Sequence, residues 1–458
     1  MRIILTIKSL IRLVGGAERS LIELANALKT RGHHVLIVNY ESNITSGDMP
    51  FYALDSEIKI KTIWHENPPI ELKEPEGFKH SFWKKHFEMS FKEYDIKVRI
   101  FIFSFIINIF LIRRIIRMID FNLFSIFKNK KLLLIDTKNS TKVDPELAAW
   151  LTQNNAEISL WRKSIMEEAP DVVISFMPSS FVYIAQAIKH TNIPLITANR
   201  NDPYSHNVMY FNTDTFLNSL IHDAVKISHA NIVQVNAYKE YFEIKNPGKT
   251  YIIPNPIYPV DIDNLIKHTE FEQKKTIICI GRMARQKNQL TLIKAFIKIS
   301  HFYKNWQLLI YGLDGGYKKD LEDLIFEFNI QNQVFIKEPI KNILEELSHA
   351  DIFILPSLYE GFSRALGESM AVGLPSIVIE DCVSNKELVT EGKCGLIAKN
   401  TCSDIAEKIE LLITNQQLRL ELGNNGKRYI KKFEPYRIYD MWEDVFNKVI
   451  NEKNEFSR

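Results

Sequence analysis

Two carboxylates, Glu360 and Glu368, sit in the run Pro-Ser-Leu-Tyr-Glu-Gly-Phe-Ser-Arg-Ala-Leu-Gly-Glu-Ser-Met-Ala at residues 356–371. The run follows an apolar stretch, 352–355, that reads as a strand, and a helix is expected to open near Ser363. Gly361 permits a tight turn or the close approach of backbone to a ligand. The first N–H groups of the helix, with its positive dipole end, make a site for phosphate. Carboxylates beside an anion site do not serve the anion; they suit hydroxyls, such as those of ribose and hexose. The bland alternative is a surface turn with two solvated glutamates. A second run, Ile-Gly-Arg-Met-Ala-Arg-Gln-Lys-Asn at 280–288, also follows a strand-like stretch. Gly281 lets the chain turn there, and Arg282 and Lys287 can reach the same side of the loop. Two fixed cations suit a diphosphate, above all one that gains charge as it departs; the alternative is an ordinary basic loop. A third feature, Gly15-Gly16-Ala17-Glu18, lets the chain pass close to a ligand, a weak signal by itself. The turn at 312–316 is weaker still and reads as a strand-to-helix connection.

The elements that must carry these residues alternate. Residues 3–7 form an apolar run fit for a parallel strand buried on both faces. Leu21, Leu24, Ala25 and Leu28 then recur at helical spacing, Gly32 ends that helix, and 35–38 is the next strand: a βαβ unit. Strands are expected at 171–176, 194–198, 230–235 and 251–253. A second series begins at 276, with strands at 276–280, 307–311, 334–336 and 352–355 and helices at 288–299, 321–328 and 343–348. Pro254-Asn255-Pro256 suits a hinge between the two series. Ligands in such folds bind beyond the carboxyl ends of the strands, in the cleft between facing domains.

Length and composition agree. A chain of 458 residues, 46% hydrophobic and 25% charged, is expected to form two globular domains. Its net charge of +3 speaks against a nucleic-acid partner held by bulk charge. Cys279, Cys382, Cys394 and Cys402 form no Cys-x-x-Cys pair and read as free, largely buried thiols. The N-terminus reads as a strand without a signal-peptide core, so a cytoplasmic location is expected. Residues 68–142 break the rhythm as an insertion. Its apolar run at 101–112 is shorter than the roughly 20 residues that span a bilayer, and Arg113, Arg114 and Arg117 follow it. Residues 99–127 read either as a helix on the inner membrane surface, its arginines meeting anionic lipid, or as a helical hairpin packed on protein.

Taken in order, Gly-Gly-Ala-Glu, Gly-Arg-x-x-x-Gln-Lys-Asn and Pro-Ser-x-x-Glu-Gly-Phe-x-x-x-Leu-x-Glu resemble the retaining glycosyltransferases of family 4. Pro254-Asn255-Pro256 and His33-His34-Val35 match as well, and the resemblance covers the chain outside 68–142. It implies an α/β GT-B fold: two doubly wound Rossmann-like domains facing a cleft, with a helical insertion in the first. The expected division is 1–268 as the acceptor side, 269–430 as the nucleotide-sugar domain, and 431–458 as a C-terminal helix packing back on the first domain. By position, the resemblance implies that Arg282 and Lys287 hold the diphosphate, with Gly281 turning the loop. Glu368 takes the ribose hydroxyls and Glu360 those of the transferred sugar. Gly361 and the amides of Phe362, Ser363, Ala365 and Leu366 meet the distal phosphate and sugar. Gly15 and Gly16 shape the acceptor-side wall.

Two departures from the pattern stand out. Where many members carry a histidine, this chain reads Thr197-Ala-Asn-Arg-Asn-Asp-Pro203, as in a subset acting in bacterial surface-polysaccharide or lipid-linked oligosaccharide assembly. Arg200 there is either a cation near donor or acceptor or a structural arginine tying loops together. Residues 381–387 lack the usual glycine-bearing loop. The implied reaction moves a hexose or N-acetylhexosamine from a nucleoside-diphosphate sugar, UDP by default, to a glycan or lipid-linked acceptor, with retention and with no metal or other cofactor. Asp261-Ile-Asp263 falls in the hinge and reads as linker. The competing readings are a nucleotide-sugar epimerase, a glycogen- or sucrose-type synthase on the same fold, a catalytically silent sugar-nucleotide or lipid-binding scaffold, and a membrane-interaction protein defined by 99–127.

Overall fold

The computed structural model describes residues 1–11, 15–41, 49–63, 145–205, 215–243, 247–261, 274–340 and 342–456. The insertion expected at 68–142, with the arginines at 113, 114 and 117, lies outside them, as do the boundary expected at 268/269 and Asp263. The chain divides into two compact units, one of Met1–Trp64 with Glu157–Arg458 and one of His65–Ala156. Two parallel sheets form within the first unit.

The first sheet contains β1 (Arg2–Ile7), β2 (His34–Tyr40), β3 (Lys59–Ile63), β4 (Val172–Phe176), β5 (Leu195–Ala198), β6 (Ala230–Val233) and β7 (Thr250–Ile252). Their order is β3-β2-β1-β4-β5-β6-β7, and every pairing is parallel. The second sheet contains β8 (Lys275–Ile280), β9 (Trp306–Tyr311), β10 (Val334–Lys337), β11 (Ile352–Leu355), β12 (Ser376–Ile379) and β13 (Gly395–Ala398), in the order β10-β9-β8-β11-β12-β13. These are doubly wound sheets. The strand order reverses between β1 and β4 in one and between β8 and β11 in the other, which opens a crevice beyond the carboxyl ends there. Runs such as Val-Val-Ile-Ser-Phe in β4 and Ile-Phe-Ile-Leu in β11 are buried at every position. Only a strand covered on both faces calls for so continuous a pattern. The helices used below are α1 (Gly16–Thr30), α2 (Asn236–Glu243), α3 (Gln289–Ser300), α4 (Arg364–Val372), α5 (Val383–Gly392) and α6 (Pro435–Phe456).

The helix expected at 321–328 runs Lys318–Glu327, and the helix edge expected at 288 shifts for a physical reason. A 3-10 turn over Arg285–Lys287 runs into Asn288, which adopts the left-handed region at φ 55, so α3 starts one residue later than 288. The strand expected to reach 235 stops at Val233.

The C-terminal helix α6 contributes Ile438, Tyr439, Trp442, Val445, Phe446 and Val449 to the core of the first sheet. Trp442 stacks on Phe176 of β4, with ring centroids 6.3 Å apart. Because Trp442 is 2% exposed, Trp442→Ala is expected to destabilise the fold by about 3–5 kcal/mol, read by denaturant titration. A loss below about 1 kcal/mol would show that α6 is not bolted to that core. The four cysteines are free, three of them buried and Cys402 partly so. Burial pushes the thiols of Cys279 and Cys382 up to about 12 and that of Cys394 likewise. A thiol reagent at pH 8 is therefore expected to label Cys402 alone in the native protein and all four residues after unfolding.

Candidate active site

All three sequence features emerge from strands that border the two crevices. The Gly15-Gly16 turn lies between β1 and α1, the 281–288 loop follows β8, and the 356–363 loop follows β11. The two loops of the second sheet are zipped together. The Leu358 N–H donates to the Gln286 carbonyl at 2.8 Å, and the Gln286 Nε2 donates to the Tyr359 carbonyl at 2.7 Å. Buried Gln289, at the start of α3, fixes the other side of the loop by donating to the carbonyls of Gly281 and Arg282, at 3.1 Å each. Lys287 Nζ then forms an ion pair with Glu360, both side chains being mostly buried. The Lys287 stem runs against Gly281, where a Cβ would lie 3.1 Å from it. Arg282 is exposed, and its positive field acts on the buried Glu18 carboxyl, which burial pushes above the usual range.

The 312–316 turn, read from sequence as a plain connection, braces this loop. Met283 donates to the Leu313 carbonyl at 2.8 Å and Gly315 donates to the Met283 carbonyl at 2.9 Å. A Cβ on Gly312 would fall 2.1 Å from the Gly281 oxygen, so only glycine lets β9 end so near Gly281.

Helix α4 opens with Ser363 as its N-cap, the hydroxyl accepting the Leu366 N–H at 3.3 Å. Phe362, Ser363 and Leu366 are buried and Ala365 partly so. The Phe362 ring packs edge-on against Phe433 at 5.1 Å. Its carbonyl accepts from Asn255 Nδ2 at 3.0 Å, and the Glu360 carbonyl accepts from Tyr238 of α2 and, at 3.1 Å, from Ser384 of α5. Tyr238 and Asn255 of the first sheet's half thus help hold the backbone of the glutamate motif, with Ser384 joining from the second. Asn255 is the hub: its Oδ1 accepts from Ser20 at 2.6 Å and from Arg200. Arg200, 6% exposed, also donates to the Ile253 carbonyl at 3.1 Å. Its guanidinium is therefore engaged with the hinge, where burial, and then the neighbouring Arg364 cation, push it down to about 9. Gly361 lies directly against the Arg200 carbonyl and Gln234. Around Gly16 a Cβ would meet nothing within 4 Å, whereas at Gly15 it would strike the Glu18 carboxylate.

Glu368 meets a partner that the sequence motifs did not single out. Arg19 of α1 places Nη1 3.1 Å from Glu368 Oε1 and Nε 2.8 Å from Glu23 Oε1. Arg364 of α4, also passed over, pairs with Glu23 Oε2 at 2.7 Å. The available signal was local: Arg19 and Glu23 are opposite charges at i,i+4 spacing on a helix otherwise rich in buried Leu and Ile. Among the described residues, no group of three or more His, Cys, Asp or Glu is placed to hold a metal ion. No described helix is long and apolar enough to cross a membrane.

Residues 261–429 match the family described as Glycosyl transferases group 1. The chain is 29% identical over 247 residues to an uncharacterised glycosyltransferase of Methanocaldococcus jannaschii, covering 48% of this chain and 58% of that protein's length. It is 25% identical over 295 residues to a Campylobacter jejuni protein, covering 63% of this chain and 78% of that one. That protein is named GalNAc-alpha-(1->4)-GalNAc-alpha-(1->3)-diNAcBac-PP-undecaprenol alpha-1,4-N-acetyl-D-galactosaminyltransferase. The solved sucrose-phosphate synthase of Thermosynechococcus elongatus superposes with a TM-score of 0.69 over 98% of this chain and 99% of its own, at 16% identity. The fold is GT-B, with two Rossmann-like parallel-sheet domains.

Proposed function

We propose that the protein is a retaining glycosyltransferase that moves a hexose or N-acetylhexosamine from a nucleoside-diphosphate sugar, UDP by default, to a hydroxyl of a lipid-linked or polysaccharide acceptor. One observation carries this reading. Glu360 and Glu368 flank the N-terminus of α4 and each is met by a cation from another element, Lys287 and Arg19. The match to glycosyl transferases group 1 over 261–429 supports the class of reaction. The Campylobacter relative, whose name specifies an undecaprenol-linked acceptor, supports the lipid-linked choice. In the reaction, the bond from the sugar C1 to the distal phosphate oxygen breaks and a bond from C1 to the acceptor oxygen forms. The acceptor proton leaves with the diphosphate or to solvent. Arg282, Lys287 and the amides at the start of α4 stabilise the charge that grows on the diphosphate. Glu360 and Glu368 accept hydroxyls of the transferred sugar and of ribose.

With those cations supplying the counter-charge, no divalent metal is required, and the rate is expected to be unchanged in EDTA. The deciding experiment is a panel of nucleotide sugars read by thermal shift and by slow hydrolysis, which needs no acceptor. A donor at about 100 times its Kd adds about 2.7 kcal/mol to stability. No melting shift and no hydrolysis with any donor would overturn the reading. Release of an epimerised donor instead of free sugar would move the assignment to the epimerase class. Binding of residues 99–127 to the inner membrane face remains part of the proposal. It is read by co-sedimentation of the full chain, and of a 99–127 deletion, with anionic vesicles.

A further inference from the structure

Two residues of α1 and two of α4, each pair one turn apart, form a chain of four alternating charges joined by three ion pairs. Arg19 and Glu23 lie at i,i+4 on α1, and Arg364 and Glu368 at i,i+4 on α4. Running along it, Glu368 Oε1 meets Arg19 Nη1 at 3.1 Å and Arg19 Nε meets Glu23 Oε1 at 2.8 Å. Glu23 Oε2 then meets Arg364 Nη2 at 2.7 Å. Arg364 is pinned in turn by the Pro256 carbonyl at 3.3 Å and the Ser20 hydroxyl at 3.2 Å. The guanidinium of Arg19 is thus anchored at Nε by Glu23 while its Nη1 faces Glu368. A planar fork held in this way fixes the direction of any carboxylate it grips. It grips Glu368 through Oε1 alone, which leaves Oε2 for a hydroxyl.

We propose that Arg19, from the first domain, is a positioning residue for the donor: it orients the Glu368 carboxylate so that Oε2 accepts a ribose hydroxyl, which makes nucleotide binding depend on closure of the two domains. This rests on the reading of Glu368 as the ribose acceptor given above. A mere latch between the halves would use the same ion pairs but would not care which sugar the nucleotide carries.

The test is calorimetric titration of the full chain with UDP and GDP and with their 2′-deoxyribose counterparts. Wild-type protein is expected to prefer the ribose form of the nucleotide it binds by about 10-fold or more. In Arg19→Ala that preference is expected to fall below about 3-fold, with affinity for the ribose form down about 10-fold and for the deoxy form little changed. Arg19→Lys should restore part of the preference. Should Arg19→Ala fail to fold, Arg19→Lys and Glu23→Gln, which loosens the second anchor, are expected to shrink the preference in the same direction. Three results overturn the proposal in distinguishable ways. Full preference retained in the Arg19 and Glu23 variants, with Glu368→Gln abolishing it, leaves Glu368 as the ribose acceptor and reduces Arg19 to a latch. No preference in wild type removes the ribose role of Glu368 itself. Binding of neither nucleotide by wild type removes the donor reading.

Discussion

Replacing Lys287 by alanine is expected to lower turnover by about 100- to 1000-fold, the loss typical of one preorganised group aimed at developing charge. The Lys287 ammonium is held by its ion pair with Glu360, by its stem along Gly281, and by a loop that Gln286 and Gln289 tie down on both sides. A cation fixed in that way has little reorganisation left to do when the diphosphate departs. The effect on folding should be much smaller. The two side chains keep 18% and 12% of their surface, so the Glu360 carboxylate left behind retains some water. The cost is discounted to about 1–2 kcal/mol. A second variant separates two ways of losing activity. If Lys287 serves only to neutralise Glu360, the double change Lys287→Ala with Glu360→Gln should recover much of the lost rate. If it serves the diphosphate, the double variant stays as slow as the single or slower. Steady-state donor hydrolysis decides between them, and wild-type turnover in Lys287→Ala would end the assignment.

How much of this could be read from the chain alone follows from the range of each interaction. The parallel strands were legible because burial on both faces writes an unbroken apolar run, as at Val172–Phe176 and Ile352–Leu355. The placement of Gly281, Lys287, Glu360 and Gly361 at strand ends follows from the same runs, since each motif begins where one stops. The chain of four charges was not legible. Arg19 and Glu368 stand 349 positions apart, and neither has a periodic or motif signature that names the other. Arg364 stands where a helix's first residue is ordinarily solvated. It is 9% exposed here because Ser20, Glu23 and Pro256 converge on it from the other half of the unit. Arg200 left two readings open in the sequence because its role depends on where Asn255 lies. With Ile253 and Asn255 in reach, its guanidinium turns to the hinge. The bracing glycines at 312 and 315 looked like any turn, since what demands them is the backbone of residues 281–283 lying alongside.

Gly361→Ala should separate catalysis from folding more sharply than any change of charge. A Cβ built there would stand 2.1 Å from Gln234 Oε1 and 2.2 Å from the Arg200 carbonyl oxygen. The Gln234 amide can rotate away. The Arg200 oxygen cannot, because it is backbone, and its own side chain is anchored on Ile253 and Asn255. The added methyl must therefore push the 356–363 loop away from the first domain, or hold the two halves apart. Overpacking of this kind costs about 1–3 kcal/mol. The same displacement carries Glu360 and the start of α4 out of register with groups presented by α1 and α2. A misplacement of about 1 Å in such a site is worth about 100-fold in rate, so kcat/KM for donor hydrolysis should fall by about that factor while the protein still melts cooperatively. Gly16→Ala is the matched control for folding. Its Cβ would meet nothing within 4 Å, and an alanine in the first turn of α1 reduces the freedom of the unfolded chain. Its melting temperature should hold or rise, by the equivalent of up to about 1 kcal/mol. If Gly361→Ala kept wild-type kcat/KM, the productive arrangement would have to be more open at this seam than the one described. The hydrogen bonds from Tyr238 and Asn255 to the motif's carbonyls would then belong to a resting state that the protein leaves before it reacts.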